Sequence, residues 1–492
     1  MARRIHTANV KERDLDGSPV NASDSVLKIL HERPDECAYE TLTRRQKIIL
    51  GVALIALATL AVLQLYWLLL VINALVITFY IVHSTYKFWL VWRSLEHKRE
   101  LTFSAEELAA LDPDKLPTYT ILLPLYREAA VLPSLVASLT KLDYPTHKLT
   151  IMLLIEEDDE ETRQTCSNLE LPAHFLPIIV PHSLPKTKPK ACNYGLYACN
   201  SDLLVIYDAE DRPEPDQLKK AAAAFAQLPD DVVCLQAKLN YYNQRHNLLT
   251  RWFTAEYSVW FDLFLPGLTS TRAPIPLGGT SNHFRVAVLK DLGGWDPFNV
   301  TEDCDLGVRM HKHGYHTAMI DSTTWEEANG ELFSWLRQRS RWVKGYMQTY
   351  LVHTRYPLQL LRQLGHADHF SFQMTIGGSI LCFLVNPIYW LMTITWFTMQ
   401  PEIISAMFPP VIFALGSLCL FVGNFVFVYL SVAGCANRGY YDLVKYAVLT
   451  PVYWLLMSIG AYKALAQLIT HPHYWEKTDH GQFGGSKGVS VE

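Results

Sequence analysis

From Ile48 to about Trp92 the chain is almost wholly apolar, relieved only by weakly polar residues, His83 and Lys87. About 20 residues cross the hydrocarbon of a bilayer as a helix, so this run is too long for one span. It predicts a hairpin of two transmembrane helices over 44–92, turning near "QLYW" (Gln64 to Trp67). Arg44, Arg45 and Lys47 precede the run; Arg93, Lys98 and Arg99 follow it. Positive charge on both flanks puts both ends in the cytoplasm. Composition agrees. Of 492 residues 50% are hydrophobic and 18% charged, against about 25% charged in a soluble domain.

Around this anchor the character of the chain changes several times. Residues 1–43, which include "ERDLDGSPVNASDS", read as a flexible cytoplasmic arm. They are polar, so no cleavable signal peptide is expected. After a linker over 93–116, residues 117–330 have a soluble composition. "YTILLPLY", "LTIMLLIEE" and "DLLVIYDAED" are short apolar runs ending in polar or acidic residues. Helix-like stretches lie between them, which predicts an α/β domain with a mostly parallel sheet. Ligands of such sheets bind beyond the carboxyl ends of the strands, where the acidic residues fall.

Residues 331–366 mix Trp, Tyr and Leu with Arg and Lys at helical spacing, as interfacial amphipathic helices do. Two spans are expected within 367–434. The loop between them, "TMQPEIISAMFPP", lacks Lys and Arg, whereas "CANRGYYDLVK" beyond them has both. That sets the loop outside and the later segment inside. Residues 435–470 read as a re-entrant or interfacial helix pair bending back at Pro451, with a fifth span as the alternative. The tail, 471–492, opens with the polar "HPHYWEKTDHG".

A net charge of −5 without a basic arm argues against a nucleic-acid partner. Nine cysteines are scattered singly and read as reduced thiols; no zinc spacing occurs. The chemistry lies in three acidic patches. "YDAED" places Asp208, Glu210 and Asp211 just after a buried strand, where two carboxylates reach a hard divalent cation. "TEDCDLGVRM" offers Glu302 or Asp303 at a helix start, as caps or as a general base. "IEEDDEET" ends another strand and is a candidate nucleotide contact. Cations come from Lys186, Lys188 and Lys190 in "KTKPKACNYG", and from Arg339 and Arg341 in "QRSRW". A metal, a base and nearby cations suit displacement of a nucleoside diphosphate.

Taken together, "YDAED", "TED" and "QRSRW", in that order on membrane-anchored α/β sequence, resemble the membrane-embedded family 2 glycosyltransferases of the cellulose and hyaluronan synthase type. The resemblance runs from about 117 to 480. It implies a GT-A-like transferase domain inserted between transmembrane helices, in the plasma (inner) membrane, with its active side cytoplasmic. It implies Mg²⁺ or Mn²⁺ on Asp208 and on Glu210 or Asp211, with Asp303, beside Glu302, as the base. Tyr126 and Glu128 in "PLYRE", Glu156 and Glu157 in "IEEDDEET", with Glu157 the uracil contact, and Lys190 would hold the nucleotide, with Arg341 at the diphosphate or the acceptor. Gln338 and Trp342 would hold the acceptor, and Trp475, Lys477 and Thr478 in "YWEKTDHG" resemble the family's gating loop.

The function implied is processive extension of a β-linked polysaccharide from a nucleotide sugar, UDP-sugars favoured, with export through the chain's own helices. Few helices follow the catalytic segment, so a channel would need a second copy or an export partner. Transfer of a single sugar to a lipid carrier is the enzymatic alternative, with a glycolipid as acceptor. A largely non-catalytic surface-polysaccharide or phage-adsorption scaffold is the non-enzymatic one. A pure transporter fits poorly, because the spans lack buried charge pairs.

Overall fold

The computed structural model describes residues 26–96 and 100–476, preceded by a two-residue antiparallel pairing of Glu12–Arg13 with Pro19–Val20. The first long element, α1 (Arg44–Glu96), is helical except at Gln64 (φ −147°, ψ 48°), which divides it into arms 44–63 and 65–96. Gln46, near the start of α1, donates to Leu351 O (2.7 Å). Near the other end the Leu90 carbonyl lies so close to Gly267 that any side chain there would strike it. Between them Asn73 donates to Met407 O (2.7 Å).

The main sheet is built from β1 (Tyr119–Leu125), β2 (Leu149–Glu156), β3 (Phe175–Val180), β4 (Leu203–Ile206), β5 (Arg212–Pro213), β6 (Val232–Tyr241), β7 (Asn282–Arg285) and β8 (His316–Glu326), in spatial order β3-β2-β1-β4-β7-β6-β8-β5. Four pairings are parallel and three antiparallel. The antiparallel ones come from short β7, wedged between β4 and β6, and from the edge strand β5. Period-two alternation explains why the strands are apolar throughout: both faces are covered. Leu122 and Leu154 point to one side, against Cys192 and Leu196, while Ile121, Leu123, Ile151 and Leu153 pack on the other with Leu135 and Leu139. Beyond the sheet's carboxyl ends stand the helices that finish the site. They are α2 (Lys188–Ala198), α3 (Leu248–Val259), α4 (Glu302–Lys312) and α5 (Leu332–His353).

Three further long helices follow: α6 (Pro357–Met399), broken at Gly365 (φ +74°), α7 (Pro410–Asn437) and α8 (Thr450–Thr470). With α1, these are the four helices among the described residues that are long and apolar enough to cross a membrane. Side chains such as Val62 (86% exposed) on α1 and Phe425 (72%) on α7 face outward, as lipid-facing residues do. α8 differs. A third of its apolar window is buried in protein (33%), against 6% or less in the others. It runs beside α5 in the same direction: Tyr453 meets Trp335 (ring centroids 5.1 Å), Gly460 meets Arg339 and Ser340, and Gln467 accepts from Lys344 (3.3 Å).

Two expectations need correction. Pro451 does not bend α8; it sits in the first turn, where its missing N–H leaves no helical bond unmade. Nor is the whole of 1–43 a flexible arm. Ile29, Cys37 and Ala38 are fully buried against the catalytic domain. Cys37 Sγ donates to Asp296 Oδ1 (3.3 Å), Glu36 pairs with Lys312 (2.7 Å), and Arg355 donates to the carbonyls of Pro34, Asp35 and Cys37.

Candidate active site

The carboxyl ends of β1, β2, β4 and β8 open on one cavity of about 560 Å³, and α5 forms one of its walls. Its lining includes Tyr126 and Glu128 after β1, Glu156 at the end of β2, Asp208 and Glu210 after β4, Glu302 and Asp303 opening α4, Gln338, Arg341 and Trp342 on α5, and Trp475. The three acidic patches and "QRSRW", separated by up to some hundreds of residues in sequence, therefore meet in one space.

Among residues of one type, the structure separates those that face the cavity from those that hold it up. Lys190 is fully buried, pairing with Glu156 (2.7 Å) and donating to Pro181 O (3.0 Å). Lys188, at the first turn of α2, is the lysine in the cavity. It is ion-paired with Asp208 and donates to Gly279 O (2.7 Å). Lys190 therefore orders the floor of the cavity, and Lys188 presents its charge to it. Glu157 turns to the outer edge, where His182 N donates to it (2.9 Å), so Glu156 is the β2 carboxylate that lines the cavity. Asp211 is buried; Asp208 N donates to its Oδ2 (2.7 Å), as does the Thr280 hydroxyl. That leaves Asp208 and Glu210 at the cavity surface.

Asp303 is positioned by contacts that tie its turn to α5. Val300 N donates to Gln348 Oε1 (3.0 Å), Asn299 to Thr349 Oγ1 (2.9 Å), and Gly345 lies where any Cβ would strike Thr301. Cys304 N donates to Asp303 Oδ1 (2.7 Å). A Cβ on Gly279 would stand 3.4 Å from Asp303 Oδ2 and 4.0 Å from Lys188 Nζ, so glycine leaves the space beside both groups open. Burial raises the Asp303 carboxyl to about 6, against the pull of Lys188. Burial and the adjacent Asp303 raise Glu302 to about 8. A carboxyl titrating near 6 is poised as a base at neutral pH. Burial works against the charge of Lys188, but Asp208 and Glu302 carry its net shift upward.

On α5 the residues of "QRSRW" divide by helical spacing. Gln338, Arg341 and Trp342, at i, i+3 and i+4, share the cavity face. Arg339 also borders the cavity, but its guanidinium is anchored on Glu256 (2.9 Å for one of two bonds) and on the Tyr453 hydroxyl (2.9 Å). It stands 4.7 Å from the Trp342 ring centroid, bracing the indole from behind. Arg341 lies 4.7 Å from the centroid of Trp475 and bonds Glu476 O (3.4 Å). Burial pulls the Arg341 guanidinium down, and Glu302, Asp208 and Asp303 hold it up. Glu476 pairs with Lys463 (2.9 Å) and Tyr474 O accepts from Lys344 (2.7 Å), so segment 471–476 closes one side of the cavity. Lys477 and Thr478 lie outside the described residues.

Lysine 186, in the sequence only one of three candidate cations, stands 3.7 Å over the Tyr126 ring and pairs with Asp158 (2.6 Å). The reading of the sequence missed Glu326, a half-buried carboxylate that ends β8 and lines the same cavity. Its signal was the acidic "TWEEANG" closing a strand, the same cue that marked "YDAED".

A divalent ion suits this set. Asp208 and Glu210 present carboxylates to the cavity, and Asp211 keeps one buried oxygen, Oδ1, without a partner. No three His, Cys, Asp or Glu side chains among the described residues converge as a self-sufficient metal site. Two carboxylates hold such an ion when phosphate oxygens complete its shell.

Residues 117–345 match the family model described as glycosyltransferase like family 2. The "Probable glycosyltransferase YdaM" of Bacillus subtilis is 26% identical over 268 residues, 53% of this chain and 63% of that protein. The "Probable glucomannan 4-beta-mannosyltransferase 1" of Arabidopsis thaliana is 23% identical over 266 residues, 51% of this chain and 46% of that protein. The alignments thus span about half to two thirds of the relatives' length. Among solved structures, the mannosyltransferase PcManGT from Pyrobaculum calidifontis, in complex with GDP-Man and Mn²⁺, is 17% identical, with a TM-score of 0.48 over 82% of this chain and 99% of that one. The span that matches the glycosyltransferase family 2 model covers every strand of the sheet and ends within α5, three residues beyond Trp342.

Proposed function

We propose that the protein is a membrane-bound, inverting, metal-dependent glycosyltransferase that moves a sugar from a nucleoside-diphosphate sugar onto an acceptor hydroxyl presented from the membrane side, building a β-linked glycan. The observation that supports it most is the single cavity in which Asp208, Glu210 and Asp303 face Gln338, Arg341 and Trp342. Asp208 and Glu210 would hold Mg²⁺ or Mn²⁺, which neutralises charge on the departing diphosphate. Tyr126, Glu128 and Glu156 bound the nucleotide end, with Lys186 stacked on Tyr126. Trp342 offers a flat apolar face to the acceptor ring, and Gln338 a polar edge. Asp303 takes the proton of the acceptor hydroxyl as its oxygen bonds the anomeric carbon. The bond from that carbon to the diphosphate breaks on the opposite face, and Lys188 and Arg341 stabilise the leaving group. Trp475 and segment 471–476 act as a gate over the bound nucleotide.

The bundle supports a multi-pass arrangement in the plasma (inner) membrane. In it the arms of α1 form a hairpin turning at Gln64, α6 and α7 span, and α8 lies at the cytoplasmic interface. Purified protein in nanodiscs, given UDP- and GDP-sugars with Mg²⁺ or Mn²⁺, tests the proposal. The mannosyltransferase relative puts mannose on the donor panel. Nucleoside diphosphate released only with acceptor and metal supports it, and product size separates polymer from glycolipid. Full turnover in chelator would overturn the metal assignment.

A further inference from the structure

Lys87 sits on the 65–96 arm of α1, within the helix bundle. Its ammonium lies 5.6 Å from the ring centroids of Phe264 and Phe427, and among the described residues it makes no ion pair. Glu256, the carboxylate on that side of the active-site cavity, is already matched by Arg339 and Tyr453. One turn before Lys87, His83 is 1% exposed and its Nδ1 has no partner. A second cavity of about 330 Å³ runs from these residues into the bundle, walled by Tyr80, Phe397, Phe413 and Phe421 among others. Five residues line both cavities: Lys87, Ser379, Phe383, Phe427 and Trp454. Lys87 therefore stands at the seam between a polar transfer site and an apolar pocket.

An unmatched cation among transmembrane helices is costly, and such residues mark a ligand path. A neutral glycan would leave the charge uncompensated. A phosphate would match it, with the His83 ring available to bond a second oxygen. The aromatic walls beyond it suit a hydrocarbon chain. We propose, resting on the transfer reading above, that this seam binds the phosphate of a lipid-linked sugar acceptor, with the lipid in the second cavity and the carried sugar in the first. The phosphate is not the nucleophile, since an anion needs no base and Asp303 would then have no proton to take. The sugar's hydroxyl attacks, its proton goes to Asp303, the donor's diphosphate leaves, and the lipid phosphate is unchanged.

Binding of radiolabelled farnesyl phosphate to purified protein in detergent, without donor or metal, tests this apart from turnover. Wild type should bind it saturably, and Lys87→Met should weaken it by about tenfold or more. Lys87→Arg, which keeps the charge, should restore binding to within about threefold and serves as the folding control. Unlabelled farnesol and inorganic phosphate should each compete poorly. Unchanged affinity in Lys87→Met, or farnesol competing as well as farnesyl phosphate, overturns the proposal; inorganic phosphate competing equally would make the seam a free-anion site and overturn the lipid. Asp303→Asn should bind farnesyl phosphate normally while losing transfer, so the failure of one reading is distinguishable from failure of the other.

Discussion

The base role proposed for Asp303 costs stability, and both sides of that exchange are measurable. Burial holds its carboxyl at about 6, above the ordinary value near 4. As a base it works ionised, so the rate should climb as pH rises and level off above about 6. Asp303→Asn should remove that limb and lower kcat by about 10²- to 10⁴-fold while donor affinity stays within a few fold. The sign for stability is opposite. A carboxyl raised in the folded state favours folding below its unfolded value, and that contribution is lost as pH rises from about 4 to 6. Asp303→Asn should therefore melt higher than wild type at pH 8; a lower Tm would mean the carboxylate is structural. The two lysines of α2 give a second contrast. Lys190→Met strands buried Glu156 and should destabilise the protein by about 3–5 kcal/mol, a loss that the added change Glu156→Gln should largely relieve. Lys188→Met should leave thermal melting close to wild type and instead abolish most turnover, because its charge faces the diphosphate position.

At the scale of elements, α5 shows what a sequence does and does not disclose. Gln338, Arg341 and Trp342 were legible as a unit because helical spacing alone puts them on one face. The role of Arg339 was not, since its carboxylate partner, Glu256, lies 83 residues earlier on α3. Strand ends were equally legible: apolar runs closing in acids led to Asp208 and Glu156, and an acidic helix start led to Asp303. Which neighbour faces inward was not, because Lys188 against Lys190 and Glu156 against Glu157 depend on where a helix starts and a strand stops. The buried segment around Cys37 was hidden for the same reason, its partner Asp296 standing 259 residues away. Segment 471–476 meets α5 by Arg341 on Trp475 and Lys344 on Tyr474 O, and is held besides by Lys463 on Glu476 and by His473 on Phe298 O. Trp475→Ala should accordingly leave melting unchanged and lower turnover at saturating donor by about tenfold or more, as loss of a closing contact does. A change in donor affinity alone, with turnover intact, would make the indole a passive wall.

Over the whole molecule, the topology proposed above rests on the packing of α1 and α8. Gln46 and Leu90 both meet elements joined to the catalytic domain, whereas Asn73 between them meets Met407 in the loop between α6 and α7. A helix of 53 residues would be about 80 Å long if straight, far beyond the hydrocarbon thickness. In the proposed hairpin, a reversal at the non-helical Gln64 would bring both ends to one face and leave the Met407 loop on the other. α8 starts beside α3, where Trp252 donates to Tyr446 O (2.9 Å). Just beyond its end, His473 bonds Phe298 O (3.1 Å) next to the active site, so it leaves and returns on the catalytic side. Single cysteines introduced as Glu402→Cys, Lys445→Cys and His471→Cys in a cysteine-free background test this with a membrane-impermeant maleimide on intact cells. Glu402→Cys should label at once, and the other two only after permeabilisation. If His471→Cys labels from outside while Lys445→Cys does not, α8 crosses the membrane, segment 471–476 cannot reach the nucleotide, and the gating role of Trp475 must be withdrawn.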